Sequence, residues 1–407
     1  MLLLVSAAAA APVVFEHATV HPVSSDVLVD GVVVVDDGKV VAVGPSGSVA
    51  IPDGATRIDL TGKHVIPGLV DTHSHIGATF GDLNETTGPL QPGLSAVDTI
   101  DITLPSVELA RAGGLTTVNV MPGSGNLVGG QTAYLKLRDG VVVDDLLLCA
   151  DRRDEVCGGL KMANGTNPQE PTGPWPSTRM GAAFQVRQLF TEAKKRRGEA
   201  GKRKKGGAPD LKLDPLVQVL DGTRIVHFHT HRADDVATAL SIADEFGFRP
   251  VLHHVSEASK VVDLLAEHQV PCSLIVIDAP GGKEEAVELA AHSAAVLEAR
   301  GVKVALHTDD PITDSRLFLR SAAMAVRAGM TEAGALRALT LSGAEMLGLQ
   351  DRVGSLDAGK DADLVVLSGP PLSVWTHVEQ TWVEGVRVFD RSDPADLLFA
   401  VGGWEHP

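Results

Sequence analysis

The chain has 407 residues, 44% of them hydrophobic, with 42 glycines, 23 prolines and a formal net charge of −17. This length favours one large unit plus a smaller one, and the composition excludes an intrinsically disordered protein. The acidic balance argues against nucleic acid or an anionic membrane as the main partner, because each requires a basic face.

The chain opens with Met1-Leu2-Leu3-Leu4-Val5-Ser6 and five alanines, which resembles the apolar core of a secretory signal without its usual basic start. Residues 1–12 are read as a signal remnant, too short to span a bilayer, and an exported or periplasmic location is favoured over the cytoplasm. Strand-rich sequence follows: His17 to His21, Leu28 to Val35 and Val40 to Val43, with Asp37-Gly38 between two β-branched runs as a hairpin signal. The same texture returns in Ala362 to Leu367 and Val378 to Val388. Residues 13–66 and 350–392 are therefore expected to form one small β domain from both ends, with 393–407 as a C-terminal tail.

The middle, 67–349, alternates short apolar strands with helical stretches. Thr116–Met121, Arg224–His229, Pro250–His254, Pro271–Val276 and Lys303–His307 read as buried parallel strands. Asp234–Phe246, Ser256–His268 and Glu284–Arg300 carry helical periodicity. Strand then helix, repeated to about eight, is the pattern of an α/β (β/α)8 TIM barrel. The basic block Lys194-Lys195-Arg196-Arg197 through Lys202 to Gly207 is expected to be a solvated loop. Cys149, Cys157 and Cys272 are odd in number and lack CxxC spacing, so neither a disulfide framework nor a zinc knuckle is expected.

The chemistry centres on Asp71-Thr72-His73-Ser74-His75, which follows an apolar strand. Alternate residues of a strand leave on one side, so His73 and His75 can face one ion roughly 6–7 Å apart along the backbone. His229 and His254 end later strands, and Asp309 lies just past another. All carboxyl ends of a barrel's strands open on one face, so these five groups converge there. Imidazoles and a carboxylate suit Zn2+ or a similar divalent ion, which would generate hydroxide from bound water near neutral pH. Asp309 is the natural proton acceptor and donor. His307 and Asp310 flank it and either support the site or pack the loop. His231 and Arg232 are candidates to meet a substrate carboxylate or carbonyl, the alternative for Arg232 being a pair with Asp234 or Asp235. The run Pro122 to Gln131 is glycine-rich enough to let backbone approach a ligand but is not a phosphate loop.

Taken together, Pro67-Gly68-Leu69-Val70-Asp71-Thr72-His73-Ser74-His75, the His229 and His254 strand ends, Thr308-Asp309 and the closing run Gly354 to Val366 resemble the amidohydrolase superfamily, and within it the imidazolonepropionase-related branch. The resemblance extends from about residue 13 to 390. It implies a metal-dependent hydrolase with a barrel and a composite β-sandwich. It also directs attention to Lys161, in Gly158-Gly159-Leu160-Lys161, at the position of a lysine that in relatives is carboxylated and bridges two metals, the alternative being a salt-bridged or surface lysine and a mononuclear centre; His73, His75, His229, His254 and Asp309 would hold the ions with it. The chain departs from its relatives at Thr166, where a glutamate is common, and at Val255-Ser256, where glycine and threonine are common. The expected activity is hydrolysis of a carbon–nitrogen bond in a small amide, lactam or dipeptide-like substrate, using one or two ions. Ring deamination on the same scaffold and a non-catalytic barrel scaffold are the alternatives, and homo-oligomerisation is left open.

Overall fold

A computed structural model describes residues 11–170, 173–200, 208–276 and 283–402. The apolar start at Met1 and the block Lys202 to Gly207 lie outside the described residues.

Five strands come first: β1 (Val13–Val20), β2 (Leu28–Asp36), β3 (Lys39–Pro45), β4 (Thr56–Asp59) and β5 (His64–Pro67). Asp36 and Lys39 pair in the antiparallel β2–β3 ladder, and the turn residues between them, Asp37 and Gly38, have φ of 47° and 72°. Two left-handed residues in a two-residue loop match the right-handed twist of the flanking strands, as the hairpin signal predicted.

The middle supplies β6 (Leu69–Ser74), β7 (Leu115–Val120), β8 (Val128–Gln131), β9 (Ala133–Lys136), β10 (Leu160–Ala163), β11 (Val226–Thr230), β12 (Pro250–His254), β13 (Cys272–Ile275) and β14 (Val304–His307). The parallel pairs are β6 with β7 and the series β10 to β14. Their burial on both faces explains why they read as unbroken apolar runs. β8 and β9 run antiparallel to their partners, so the strands divide into a six-stranded and a three-stranded sheet. The two sheets meet where the Asp309 N–H donates to the His73 carbonyl at 2.9 Å.

Three strands close the chain, β15 (Leu364–Leu367), β16 (Val378–Val383) and β17 (Val386–Asp390). They join the first five in one eight-stranded sheet because β15 pairs with β5. Phe15, Val33 and Val35 belong to one apolar cluster of this sheet and the alternate residues Val14, Val32 and Val34 to another.

Several expectations need correction. Lys194 to Arg197 lie inside a helix, Arg179–Ala200, not in a loop. Lysine and arginine are good helix formers, and this helix is anchored by Arg196 on Asp214 at 2.8 Å and Arg197 on the Leu220 carbonyl at 2.7 Å. Glu284–Arg300 is broken into a short 3-10 turn, Glu284–Ala286, and a helix, His292–Ala299. Cys149 and Cys157 form a disulfide across a separation of eight residues, while Cys272 is free and buried.

One polar cluster ties the terminal sheet to the middle of the chain. Lys136, fully buried on β9, donates to Asp361 Oδ2 at 2.8 Å and Asp363 Oδ2 at 2.6 Å. Lys39 and Arg352 also reach Asp361, at 2.5 and 3.1 Å. Burial pushes the Asp361 carboxyl up, but Lys136, Lys39 and Arg352 outweigh it and hold it at about 2, below its ordinary 3.8. A carboxyl with a depressed folded-state pKa contributes stability above its unfolded value and loses it as pH falls toward the folded one. The stability difference between the wild type and Asp361→Asn is expected to shrink by about 2 kcal/mol between pH 5 and pH 2.5. Urea unfolding at both pH values measures it, and a pH-independent difference would contradict the ion-pair account.

Candidate active site

Asp71 and His73 lie on β6 and His75 one residue past its end, and all three are used. Asp71 is wholly buried and accepts hydrogen bonds from the backbone of His73 at 3.1 Å and of Thr308 at 3.2 Å, and from the Thr308 hydroxyl. Burial pushes its carboxyl up to about 7, against these donors. Asp71 thereby fastens the end of β14, and with it Asp309, to the end of β6.

His75 sets its Nδ1 2.8 Å from the Met121 carbonyl, which fixes a proton on that nitrogen and turns Nε2 toward the cluster. That Nε2 lies 3.1 Å from Asp309 Oδ1, and His73 Nε2 lies 3.2 Å from the same oxygen. Two ring nitrogens at this distance from one carboxylate oxygen make a place for a proton or a cation. Lys161, fully buried on β10, places Nζ 3.1 Å from His73 Nε2 and 3.1 Å from Met121 Sδ. Burial drives its ammonium down to about 7, despite the opposing charge of Asp309.

His229 on β11 and His254 at the end of β12 complete the group, with ring centroids 4.5 Å apart. His254 and Asp309 both have left-handed backbones, φ 72° and 50°. This conformation costs about 1–3 kcal/mol in a residue with a side chain, so both turns are held by their surroundings. The His254 turn breaks strand alternation, so His253 and His254 both approach His73, at centroid distances of 5.0 and 5.1 Å.

The donor set fits a metal. The buried nitrogens His73 Nδ1, His229 Nδ1, His231 Nε2 and His254 Nε2 have no hydrogen-bond partner. His229, His231 and His254 can bring one ligand atom each within 4.8 Å of one another, and so can His73, His254 and Asp309. Burial, reinforced by neighbouring cations, keeps His73, His229 and His254 far below their ordinary pKa, hence neutral and able to ligate. Burial alone would raise the Asp309 carboxyl, but the His75 hydrogen bond and the charges of His75, His307 and Lys161 hold it below its ordinary value.

Of the sequence candidates, His73, His75, Lys161, His229, His254, Asp309 and His231 come together. Arg232 does not: it precedes helix Ala233–Phe246 and folds onto Asp234 at 2.9 and 3.0 Å, with its side chain 42% exposed. His307 stacks on His73 at 4.9 Å and sets Nδ1 2.7 Å from Ser273 Oγ, so it supports His73 in place.

Three residues escaped sequence reasoning. Asp71 was within reach, because it shares the face of His73 and His75. His253 joins a buried string in which Tyr134 Oη meets His227 Nε2 at 2.9 Å and His227 Nδ1 meets His253 Nε2 at 3.0 Å. Lys283 has no periodic signal and is recognised only in three dimensions. A cavity of about 260 Å³ opens over the cluster, lined by His75, His229, His231, His254 and Asp309 on one side and by apolar residues such as Phe80, Leu83 and Ile312.

A family model described as "Amidohydrolase family" matches residues 176–388. The chain is 28% identical over 379 residues to amidohydrolase tasK of Hapsidospora irregularis, covering 85% of this chain but only 38% of that longer protein. It is 26% identical over 388 residues to an imidazolonepropionase of Bradyrhizobium sp., covering 84% of this chain and 87% of that protein. A solved amidohydrolase from Thermotoga maritima MSB8 is 40% identical, with a TM-score of 0.85 over 93% of this chain and 100% of the other. That likeness identifies the fold as TIM-barrel-type α/β.

Proposed function

The chain belongs to the amidohydrolase family, and from that premise we propose that it hydrolyses a carbon–nitrogen bond in a small substrate with one or two divalent ions, zinc or similar. The observation that supports this best is the set of neutral imidazoles, each with one buried ring nitrogen lacking a partner, gathered near Asp309. On this reading His73, His75, Lys161, His229, His254 and Asp309 hold the metal, and His231 is close enough to join His229 and His254. When bound, such an ion supplies Lewis acidity and makes water a nucleophile at neutral pH.

The protein's own groups do the rest. Asp309, ionised and lining the cavity, takes a proton from the attacking water and passes it to the leaving amine. His75 is aimed by the Met121 carbonyl, and Asp71 sets Asp309 against it. Lys161 is read as carboxylated: its amine is drawn toward neutrality by burial, and a carbamate replaces a buried cation beside imidazoles with an anionic oxygen donor. Deamination of a ring is less well supported, because no glutamate lines the cavity among the described residues. For the architecture, the strands of the middle are read as a closed (β/α)8 barrel and the terminal sheet as folding into a sandwich. Export is the proposed destination, since a disulfide such as Cys149–Cys157 persists in oxidising compartments.

Chelator-stripped protein is expected to lose hydrolysis of acyl amino acids, dipeptides and lactams and to recover it with Zn2+. His73→Ala and His254→Ala are expected to bind the metal at least about 10-fold more weakly, by equilibrium dialysis and elemental analysis. Full metal loading and turnover in His73→Ala would overturn the proposal.

A further inference from the structure

The cavity over the histidine cluster carries opposite charges from different elements. Asp309 comes from the end of β14, while Lys283 follows β13 and is the one lysine or arginine among the described lining residues. Burial lowers the pKa of the Lys283 ammonium, and the neighbouring Glu285 and Asp309 carboxylates oppose that shift. The Lys283 Nζ donates to Asn167 Oδ1 at 2.7 Å, and Asn167 Nδ2 in turn lies 3.4 Å from His229 Nε2. The amide thus fastens the ammonium beside a metal-site histidine.

Glu285 lies 3.3 Å from Lys283 but is shared. Its Oε2 accepts from the Thr166 backbone at 2.8 Å and lies 3.7 Å from Arg179, which itself binds Asp235. An ammonium has three donors, and Asn167 with Glu285 occupies at most two. The third is left for what enters the cavity. The lining also includes the apolar residues Ile275, Ala286, Leu289 and Ile312, beside the polar Asn84 and Ser124. A cavity of about 260 Å³ with a metal-binding side, a fixed cation and an apolar wall suits a small amide with a hydrophobic body and an anionic end.

We propose that Lys283, steadied by Asn167, binds a substrate carboxylate, so that the enzyme selects small amides bearing a free carboxylate, of the N-acyl amino acid or dipeptide class. This rests on the hydrolase reading above and replaces Arg232, turned away onto Asp234, as the anion-binding residue. Lys283 is a binding residue in this account and takes no part in proton transfer.

The test compares N-acetyl-leucine with its neutral carboxamide, N-acetyl-leucinamide, on full-length, Zn2+-loaded protein. Wild type is expected to favour the acid in kcat/KM. In Lys283→Met the acid-to-amide ratio should fall at least about tenfold, chiefly through KM, and Lys283→Arg should restore part of it. An unchanged ratio in a folded Lys283→Met protein overturns the inference and leaves the hydrolase reading standing. If neither compound is turned over, calorimetric binding of N-acetyl-leucine decides. A dissociation constant at least tenfold weaker in Lys283→Met supports the carboxylate site even as the hydrolase reading loses ground, and equal affinities overturn it.

Discussion

Asp309→Asn is expected to lower kcat by about 10²–10⁴-fold in protein saturated with Zn2+, the usual magnitude for loss of a positioned proton-transfer group. The substitution keeps the size of the side chain and removes the charge that His73 and His75 face at 3.2 and 3.1 Å. It also weakens metal binding, so the assay must be run at rising Zn2+ until the rate stops changing. Because Asp309 is held ionised at neutral pH, the wild type should lose activity as pH falls and the carboxylate takes up a proton. A saturated variant retaining a tenth or more of the wild-type kcat would show that protons travel another way.

Lys136→Met is expected to destabilise the fold by about 3–5 kcal/mol, with a matching fall in the urea midpoint. The wild-type cluster encloses one ammonium between two carboxylates, with Lys136 completely buried and Asp361 and Asp363 nearly so. Removing the cation leaves Asp363 without an ion-pair partner within its hydrogen-bonded shell and Asp361 leaning on the more exposed Lys39 and Arg352. Adding Asp363→Asn to Lys136→Met should recover part of the loss, since a neutral amide costs less to bury than an unpaired charge. If the double variant is no more stable than the single one, packing rather than charge explains the effect.

This cluster also shows the limits of reading the chain by eye. The closing run Gly354 to Val366 was recognisable as a family feature, yet its purpose was not, because the partner of Asp361 lies 225 residues earlier. The candidate ligands His73, His75, His229, His254 and Asp309 were far more legible, while Lys161 came only from the family resemblance. Each sits at the end of a short apolar run, and strand periodicity with the common face of parallel strand ends suffices to gather them. Where the backbone departs from ideal geometry, legibility ends. The left-handed turn at His254 brings two adjacent histidines toward His73, which alternation forbids. Arg232 had a local acidic neighbour as a competing partner, and the local pair won. The helix holding Lys194 to Arg197 owes its anchoring to Asp214 and the Leu220 carbonyl, contacts beyond any local window.

The pairing of β5 with β15 has a consequence for the order of events during synthesis. Val65 and Ile66 leave the ribosome early, but their ladder partners Val366 and Val365 emerge only after the whole histidine-bearing middle segment has been made. Until then β5 presents an unpaired apolar edge of the kind that recruits foreign strands. The nascent protein therefore carries its first sheet half-built while the middle of the chain is being made. The last strands close that edge from the other end of the chain, so the assembled sheet is a record that translation ran past Leu367.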